Sequence, residues 1–131
     1  MPGESDLNII LKTLTPFLHE GEYVFCQVPD QYPVDLNEII SYFKEAEGVT
    51  IILSKTNADR FKLPYSFVSA WITLRVYSSL ESVGLTAAFS NALATAGIGC
   101  NVVAACFHDH IFVDIKEAQK AMDVLEAMSK S

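Results

Sequence analysis

The sequence is poor in basic residues and contains no long apolar run. Nine lysines and arginines stand against 16 acidic residues in 131, which gives a formal net charge of −7, and the basic residues form no cluster. Nucleic-acid and anionic-membrane surfaces need clustered lysine and arginine, so the composition argues against both partners. A membrane-spanning helix needs about 20 predominantly apolar residues, and no run approaches that length.

Signal-peptide features and paired cysteines are also missing. Glu4 and Asp6 stand where a signal peptide carries positive charge. Three cysteines, Cys26, Cys100 and Cys106, are an odd number in a chain of which 50% is hydrophobic. A disulfide scaffold is therefore not expected, and we predict reduced, buried thiols in a cytoplasmic protein.

Histidine is scarce, which bears on metal binding and catalysis. Cys106, His108, Asp109 and His110 lie together in the sequence, and two imidazoles with a thiolate suit zinc. The only other histidine is His19, so no second ligand pair exists, and Asp109 also fits a tight turn. The cysteines stand in apolar strand-like runs, where thiols are usually inert. We predict no metal, no cofactor and no catalytic residue.

Apolar spacing predicts four helices. The strongest pattern covers 85–96, where apolar residues recur at i, i+3 and i+4, and Gly97 follows as a C-terminal cap. The same spacing predicts a helix over 118–128 and two shorter helices over 36–43 and 7–14.

Strands are predicted between these helices. The β-rich segments are 22–28, 49–54, 71–78, 100–107 and 110–115. Only His108 and Asp109 separate the last two segments, which indicates a hairpin. Alternation places Trp71, Thr73 and Arg75 on one sheet face. We expect this face to be covered by the other half of the chain or by a second chain; the alternative is an open face with Arg75 over the aromatic rings.

The order of elements predicts an α+β fold. The C-terminal half reads β-α-β-β-α, a ferredoxin-like module with antiparallel strands and helices on one face that lacks only its last strand. The N-terminal half looks like a rearranged copy of the same plan. We therefore divide the sequence into residues 1–66 and 67–131, and the missing strand is expected from the other half or from a partner chain.

The segment 71–125 resembles the ACT domain, a ferredoxin-like regulatory module whose members bind amino acids. The resemblance runs from "WITLRVYSSLESVGLT" through "AGIGCNVVAACFHDHIFVDI" to "AMDVL". The chain looks most similar to small bacterial proteins in which two ACT-like units are joined. These are related to the arginine-sensing ACT proteins. The N-terminal half matches more loosely, through "GEYVFCQVP" and "EGVTIILSK".

The resemblance implies a ligand site at an interface between ACT-like units. ACT ligands usually touch the loop between the first strand and the first helix, and a neighbouring unit's hairpin faces that loop. Carried over by position, the predicted contacts are Ser79, Leu80, Glu81, Val83, Gly84, Leu85, Asn101 and Asp109. Backbone N–H groups at a helix N-terminus favour the ligand carboxylate, and Gly84 permits close approach. Glu81 or Asp109 is the candidate receptor for the ammonium group.

Two functions of different classes remain open at this point. The first is a regulatory protein that senses an amino acid and forms a homodimer, with an unnamed effector protein reading the bound state. The alternative is a scaffold without a ligand, which associates with itself or with another protein. Neither function is enzymatic.

Overall fold

The computed structural model of the chain describes residues 7–76 and 84–130. The helices are α1 (Leu7–Thr13), α2 (Lys55–Arg60), α3 (Leu85–Thr95) and α4 (Ala118–Met128). The strands are β1 (Thr15–Leu18), β2 (Tyr23–Val28), β3 (Ser41–Lys44), β4 (Val49–Ser54), β5 (Val68–Arg75), β6 (Asn101–Ala104) and β7 (Asp109–Asp114). Two short 3-10 turns cover Leu36–Glu38 and Ile115–Glu117. None of the described helices is long and apolar enough to cross a membrane.

Contacts group the chain into two compact units. Unit 1 comprises Met1–His19 and Ala70–Ser131, and unit 2 comprises Glu20–Ser69. Strand β5 begins in unit 2 and continues in unit 1. The division of the sequence at 66/67 stays a prediction.

Unit 1 has the predicted β-α-β-β-α order, formed by β5, α3, β6, β7 and α4. The strand that this order lacks is β1, which pairs antiparallel with β5 from Thr15 opposite Arg75 to Leu18 opposite Ile72. The beginning of the same chain therefore completes the ferredoxin-like unit. The predicted α+β fold class is confirmed.

The core of unit 1 lies between one face of its sheet and the helices. Alternate residues of β5 and β7 meet the apolar stripes of α3 and α4, and these side chains are less than 5% exposed. They are Ala70, Ile72, Leu74, Leu85, Phe89, Leu93, Ile111, Val113, Ala121 and Leu125. The predicted helices over 85–96 and 118–128 and the C-terminal glycine of α3 are thus confirmed, with Gly97 at φ +79°.

Unit 2 is an antiparallel sheet in which β4 lies between β3 and β2. Tyr23 to Val28 of β2 pair with Ser54 to Val49 of β4, and β3 pairs with β4 from Ser41 opposite Ile52 to Lys44 opposite Val49. One face of this sheet forms the core with Ala58 of α2; its other members are Val24, Cys26, Val28, Val49, Ile51 and Leu53. Helix α2 begins where Ser54 Oγ accepts a hydrogen bond from Asn57 N–H at 3.1 Å.

The helix predicted over 36–43 is wrong. The chain makes one 3-10 turn, with Asp35 accepting a hydrogen bond from Asn37 N–H at 2.9 Å, and then becomes extended at Ile39. Ile40 N–H donates to Ile52 O at 2.7 Å, and Ser41–Lys44 continue as β3. The β-branched and aromatic residues of this segment pair with β4, and that pairing outweighs the local helical spacing.

The predicted hairpin of unit 1 is confirmed, but its turn covers residues 105–108 instead of His108 and Asp109 alone. Strands β6 and β7 pair antiparallel, and Ala105 N–H donates to His108 O at 3.2 Å across the turn. Asp109 therefore begins β7 instead of occupying the turn. Cys106 lies in the turn and is exposed, so its predicted place in the core is wrong.

Candidate functional site

Gly84 and Leu85 are the part of the predicted binding loop that the structure describes. Ser79, Leu80, Glu81 and Val83 lie outside the described residues. Gly84 precedes α3 with φ +93° and ψ −13°, a left-handed conformation that favours glycine. Leu85 is buried in the core of unit 1.

The N-terminal end of α3 presents backbone donors near Gly84. The first intrahelical hydrogen bond runs from Ala88 N–H to Gly84 O at 2.9 Å, so the preceding N–H groups of the helix have no acceptor within it. Gly84 has no side chain that could cap them. A Cβ added to Gly84 would meet Leu7 Cδ2 at 3.4 Å. The backbone N–H groups at this end of the helix suit an anion, whereas Leu7 occupies the space beside the Gly84 Cα.

Asn101 and Asp109 lie on the same hairpin but on opposite faces of its sheet. Asn101 is paired with Phe112, whereas Asp109 is paired with Ala104 and alternates with the core residue Ile111. The Asn101 amide donates to Phe112 O at 3.2 Å. The structure therefore does not bring Asn101 and Asp109 of one chain around a single small ligand.

Asp109 is a partly buried carboxylate. Burial raises its pKa above the ordinary range, and the neighbouring His110 and His108 partly oppose this shift. Desolvation of this kind disfavours the anion unless a cation is close. A positively charged group placed against Asp109 would therefore be stabilised.

A cluster of polar and aromatic side chains occupies the face of unit 1 opposite its helices. We call His19, Trp71, Thr73 and His110 the open-face cluster. His19 Nε2 lies 2.7 Å from Thr73 Oγ1, which lies 3.0 Å from His110 Nδ1. The His19 ring stacks on Trp71 with centroids 3.5 Å apart. Alternation in β5 indicated this face, but no local pattern indicated that His19 lies beside Thr73, 54 residues away.

The hydrogen bonds of the open-face cluster fix the role of one ring nitrogen of His110. Trp71 Nε1–H, which can only donate, contacts His110 Nδ1 at 3.1 Å. His110 Nδ1 therefore accepts and carries no proton. The Thr73 hydroxyl lies within hydrogen-bond distance of both His110 Nδ1 and His19 Nε2, and which of the two it donates to depends on the tautomer of His19.

Both histidines of the cluster favour the neutral form. Burial lowers the pKa of His19, with further contributions from His110 and Arg75. Burial also lowers the pKa of His110, assisted by His108 and opposed by Asp109. Thr73 is only 4% exposed, so its hydroxyl cannot reach a substrate. The cluster is therefore suited to packing and hydrogen bonding instead of nucleophilic chemistry.

The open-face cluster should make stability depend on pH. Because the folded-state pKa of both histidines lies below the ordinary 6.5, the unfolded chain binds more protons as the pH falls. Their contribution should be complete above about pH 6.5 and should decrease as the pH falls toward the folded-state values. We expect urea unfolding to give a lower free energy at the acidic end of this window.

A matched control distinguishes the effect of the open-face cluster on stability from the effect of removing any histidine. The variant with both His19→Gln and His110→Gln should lose most of the pH dependence between about pH 6.5 and 5.5, whereas His108→Gln should keep it. This window lies above the acidic range in which Asp109, whose pKa is raised, acts in the opposite direction. An undiminished pH dependence in the double variant would contradict the assignment.

The thiols and acidic groups form no evident metal or nucleophile site. Burial raises the pKa of Cys100 to about 11 and also raises that of Cys26, which disfavours thiolates at neutral pH. Within residues 7–76 and 84–130, no three histidine, cysteine or acidic side chains are arranged to hold a metal ion.

Comparisons with known families decide the identity of the fold. Residues 2–70 match the ACT domain, and residues 66–127 match a second description of the ACT domain. The chain belongs to the ACT-domain family. It therefore contains two ACT units, as the sequence resemblance predicted. ACT domains are often regulatory modules that bind ligands.

Solved structures share the fold of this chain. A protein of unknown function from Vibrio cholerae, described as a possible transport protein, is 41% identical, with 94% of this chain and 95% of that chain covered and a TM-score of 0.82. A protein from Agobacterium tumefaciens is 16% identical over 88% of this chain and 89% of its own, with a TM-score of 0.68. No curated protein matches the chain.

An aspartate kinase from Clostridium acetobutylicum shares the fold of this ACT-domain chain. It is 8% identical and has a TM-score of 0.61; the alignment covers 88% of this chain and 34% of the kinase. At this identity the likeness concerns the fold alone.

Proposed function

We propose that this ACT-domain chain is a non-enzymatic regulatory protein that binds a free amino acid between two copies of itself. The observation that carries the proposal is the N-terminal end of α3, where Gly84 adopts φ +93° and, having no side chain, does not itself cap the backbone donors. These donors and the helix dipole suit the ligand carboxylate. Membership in a family whose modules often bind ligands supports the same function.

Asp109 of the second copy is the proposed partner of the ligand ammonium. Its carboxylate is partly buried and has a raised pKa, so a cation beside it would relieve the cost of burying the anion. The ligand then holds the N-terminal end of α3 in one chain against the hairpin of the other. Ser79, Leu80, Glu81, Val83 and Leu85 stay predicted contacts of the first chain, whereas Asn101 lies on the sheet face opposite Asp109 and is not part of the proposed site.

Regulation would result because the ligand stabilises one arrangement of the two chains more than the others. A ligand that contacts two chains favours the dimer in which both contacts are made, and it shifts the population toward that state. An effector protein that binds this arrangement better than the others would then respond to the amino acid. The proposed place of action is the cytoplasm.

Thermal unfolding in the presence of each natural amino acid tests this function. One amino acid, or one chemically related group, should stabilise the protein by about 2.7 kcal/mol at 100 times its dissociation constant. The amide of that amino acid and its N-acetyl derivative should lose most of the effect, because each lacks one of the two charged groups. If no amino acid stabilises the protein at about 10 mM, the sensor is excluded and the scaffold function takes its place.

A further inference from the structure

A cavity in unit 2 has no lining residue in common with the proposed amino-acid site. It has a volume of about 190 Å³, and its floor is formed by Ile51 and Leu53 of β4. A volume of roughly 150 Å³ is enough to bind benzene when the lining is apolar. The cavity is therefore large enough for a compact ring or a branched alkyl group.

The cavity exists because a short element covers this part of the sheet. The 3-10 turn Leu36–Glu38 ends where Ile39 becomes extended, and α2 has only six residues. Longer helices would fill the space over Ile51 and Leu53 with side chains. The atoms that line an empty cavity lack dispersion contacts on one side, and a ligand of matching size would supply these contacts.

The walls of the cavity are apolar and its remaining lining is acidic. Tyr32, Ile39 and Leu63 are partly buried side chains that pack against the core of unit 2. Asp35 and Glu38 are the ionisable residues of the lining. The lining therefore combines apolar side chains with two carboxylates.

The two carboxylates have different roles. Glu38 forms an ion pair with Arg60, and Asn57 Nδ2 donates to Glu38 O at 3.0 Å, so both contacts fasten the 3-10 turn to α2. Asp35 uses one oxygen to accept from Asn37 N–H at 2.9 Å. A carboxylate has a second oxygen and further acceptor capacity, so Asp35 can also accept from a ligand cation.

We propose that this cavity is a binding site for a small ammonium compound with a compact apolar body. The apolar group lies on Ile51 and Leu53 between Tyr32 and Leu63, and the ammonium group donates to Asp35. A net charge of −7 on the chain favours the approach of such a cation. The site includes neither Gly84 nor Asp109, so it does not depend on the function proposed above.

Nuclear magnetic resonance titration of the intact chain with benzylamine tests this site. Benzylammonium should shift the resonances of Ile39, Leu53 and Leu63 in a saturable manner. Benzyl alcohol, which has the same ring without the charge, should shift the same resonances with about tenfold weaker affinity, and phenylacetate should bind more weakly still. Absence of saturable shifts at these residues, or equal affinity for phenylacetate, would overturn the proposal.

Two variants test separately how the charge of Asp35 and the volume of the cavity contribute to binding. Asp35→Asn keeps a residue that caps the turn equally well, so it should weaken benzylammonium about tenfold and leave benzyl alcohol unchanged. Leu63→Trp should fill the cavity and prevent both compounds from binding. Leu36→Trp is the matched control, because Leu36 is 72% exposed and does not line the cavity.

If Leu63→Trp fails to fold, Asp35→Asn alone decides the result. A loss of affinity for benzylammonium without a change for benzyl alcohol supports the site. An equal affinity of the wild type and Asp35→Asn for benzylammonium overturns it. Amino-acid binding through Gly84 should be unaffected in Asp35→Asn, which keeps failure of this proposal distinguishable from failure of the other.

Discussion

Replacing Phe89 with alanine should lower the free energy of unfolding by about 3–5 kcal/mol. Phe89 is fully buried on α3, in the core between that helix and the sheet of unit 1. Removing the ring loses its transfer free energy and leaves a cavity that the packed neighbours fill only in part. Urea unfolding followed by circular dichroism measures the loss, which is a large fraction of the total stability of a domain.

Phe107→Ala is the matched control for this prediction. The same ring is removed, but Phe107 lies in the turn of the hairpin and is 87% exposed. We expect a change within about 0.5 kcal/mol. Similar losses in the two variants would mean that the core of unit 1 is not arranged as described.

Much of unit 1 could be predicted from the sequence because its signals are local. The apolar spacing of α3 lies within one helix, and Gly97 ends that helix at φ +79° as expected of a C-terminal glycine. The β6–β7 hairpin was also indicated by two β-rich segments with a short connection. Each of these features depends on residues that are close in sequence.

Strand β1 could not be predicted because its formation depends on pairing with residues that are far away in the sequence. Its four residues, TPFL, are too few to show a period, and Pro16 argues against a strand when read alone. The strand forms because Thr15–Leu18 pair with β5, about 60 residues further along the chain. Proline fits there because β1 pairs with β5 alone among the described strands.

The segment 36–43 shows why spacing can mislead. Its apolar residues fall at helical intervals, but they are equally compatible with a short strand when a neighbour is available. Strand β4 supplies that neighbour, and the capping residue Asp35 serves a single 3-10 turn. The cavity of unit 2 follows from this difference, so it could not be predicted from the spacing.

The binding residues could be predicted from the sequence only because the chain resembles a known family. Composition and spacing indicated a helix start at Gly84 and a hairpin at Asp109, but neither feature names a ligand. The positions of Asn101 and Asp109 on opposite sheet faces required the strand register. The open-face cluster required the pairing of β1 with β5, which brings His19 to Thr73.

Gly84→Val and Asp109→Asn should each weaken amino-acid binding about 10- to 150-fold. The first places a branched side chain where the carboxylate approaches the backbone, and the second removes the charge opposite the ammonium group; each loses charge-assisted hydrogen bonds. Gly97→Val is the matched control. It imposes a branched side chain on a left-handed residue at the other end of the same helix, and should leave affinity unchanged.

Mixing the two weak variants tests most directly whether the amino acid binds between two copies of the chain. Each mixed dimer contains one site with Gly84 and Asp109 both intact, and one site with both replaced. If Gly84→Val and Asp109→Asn chains are unfolded and refolded together in equal amounts, isothermal titration calorimetry should detect about one quarter of the wild-type sites at wild-type affinity. Mixed dimers that form without recovering any tight site would contradict the account.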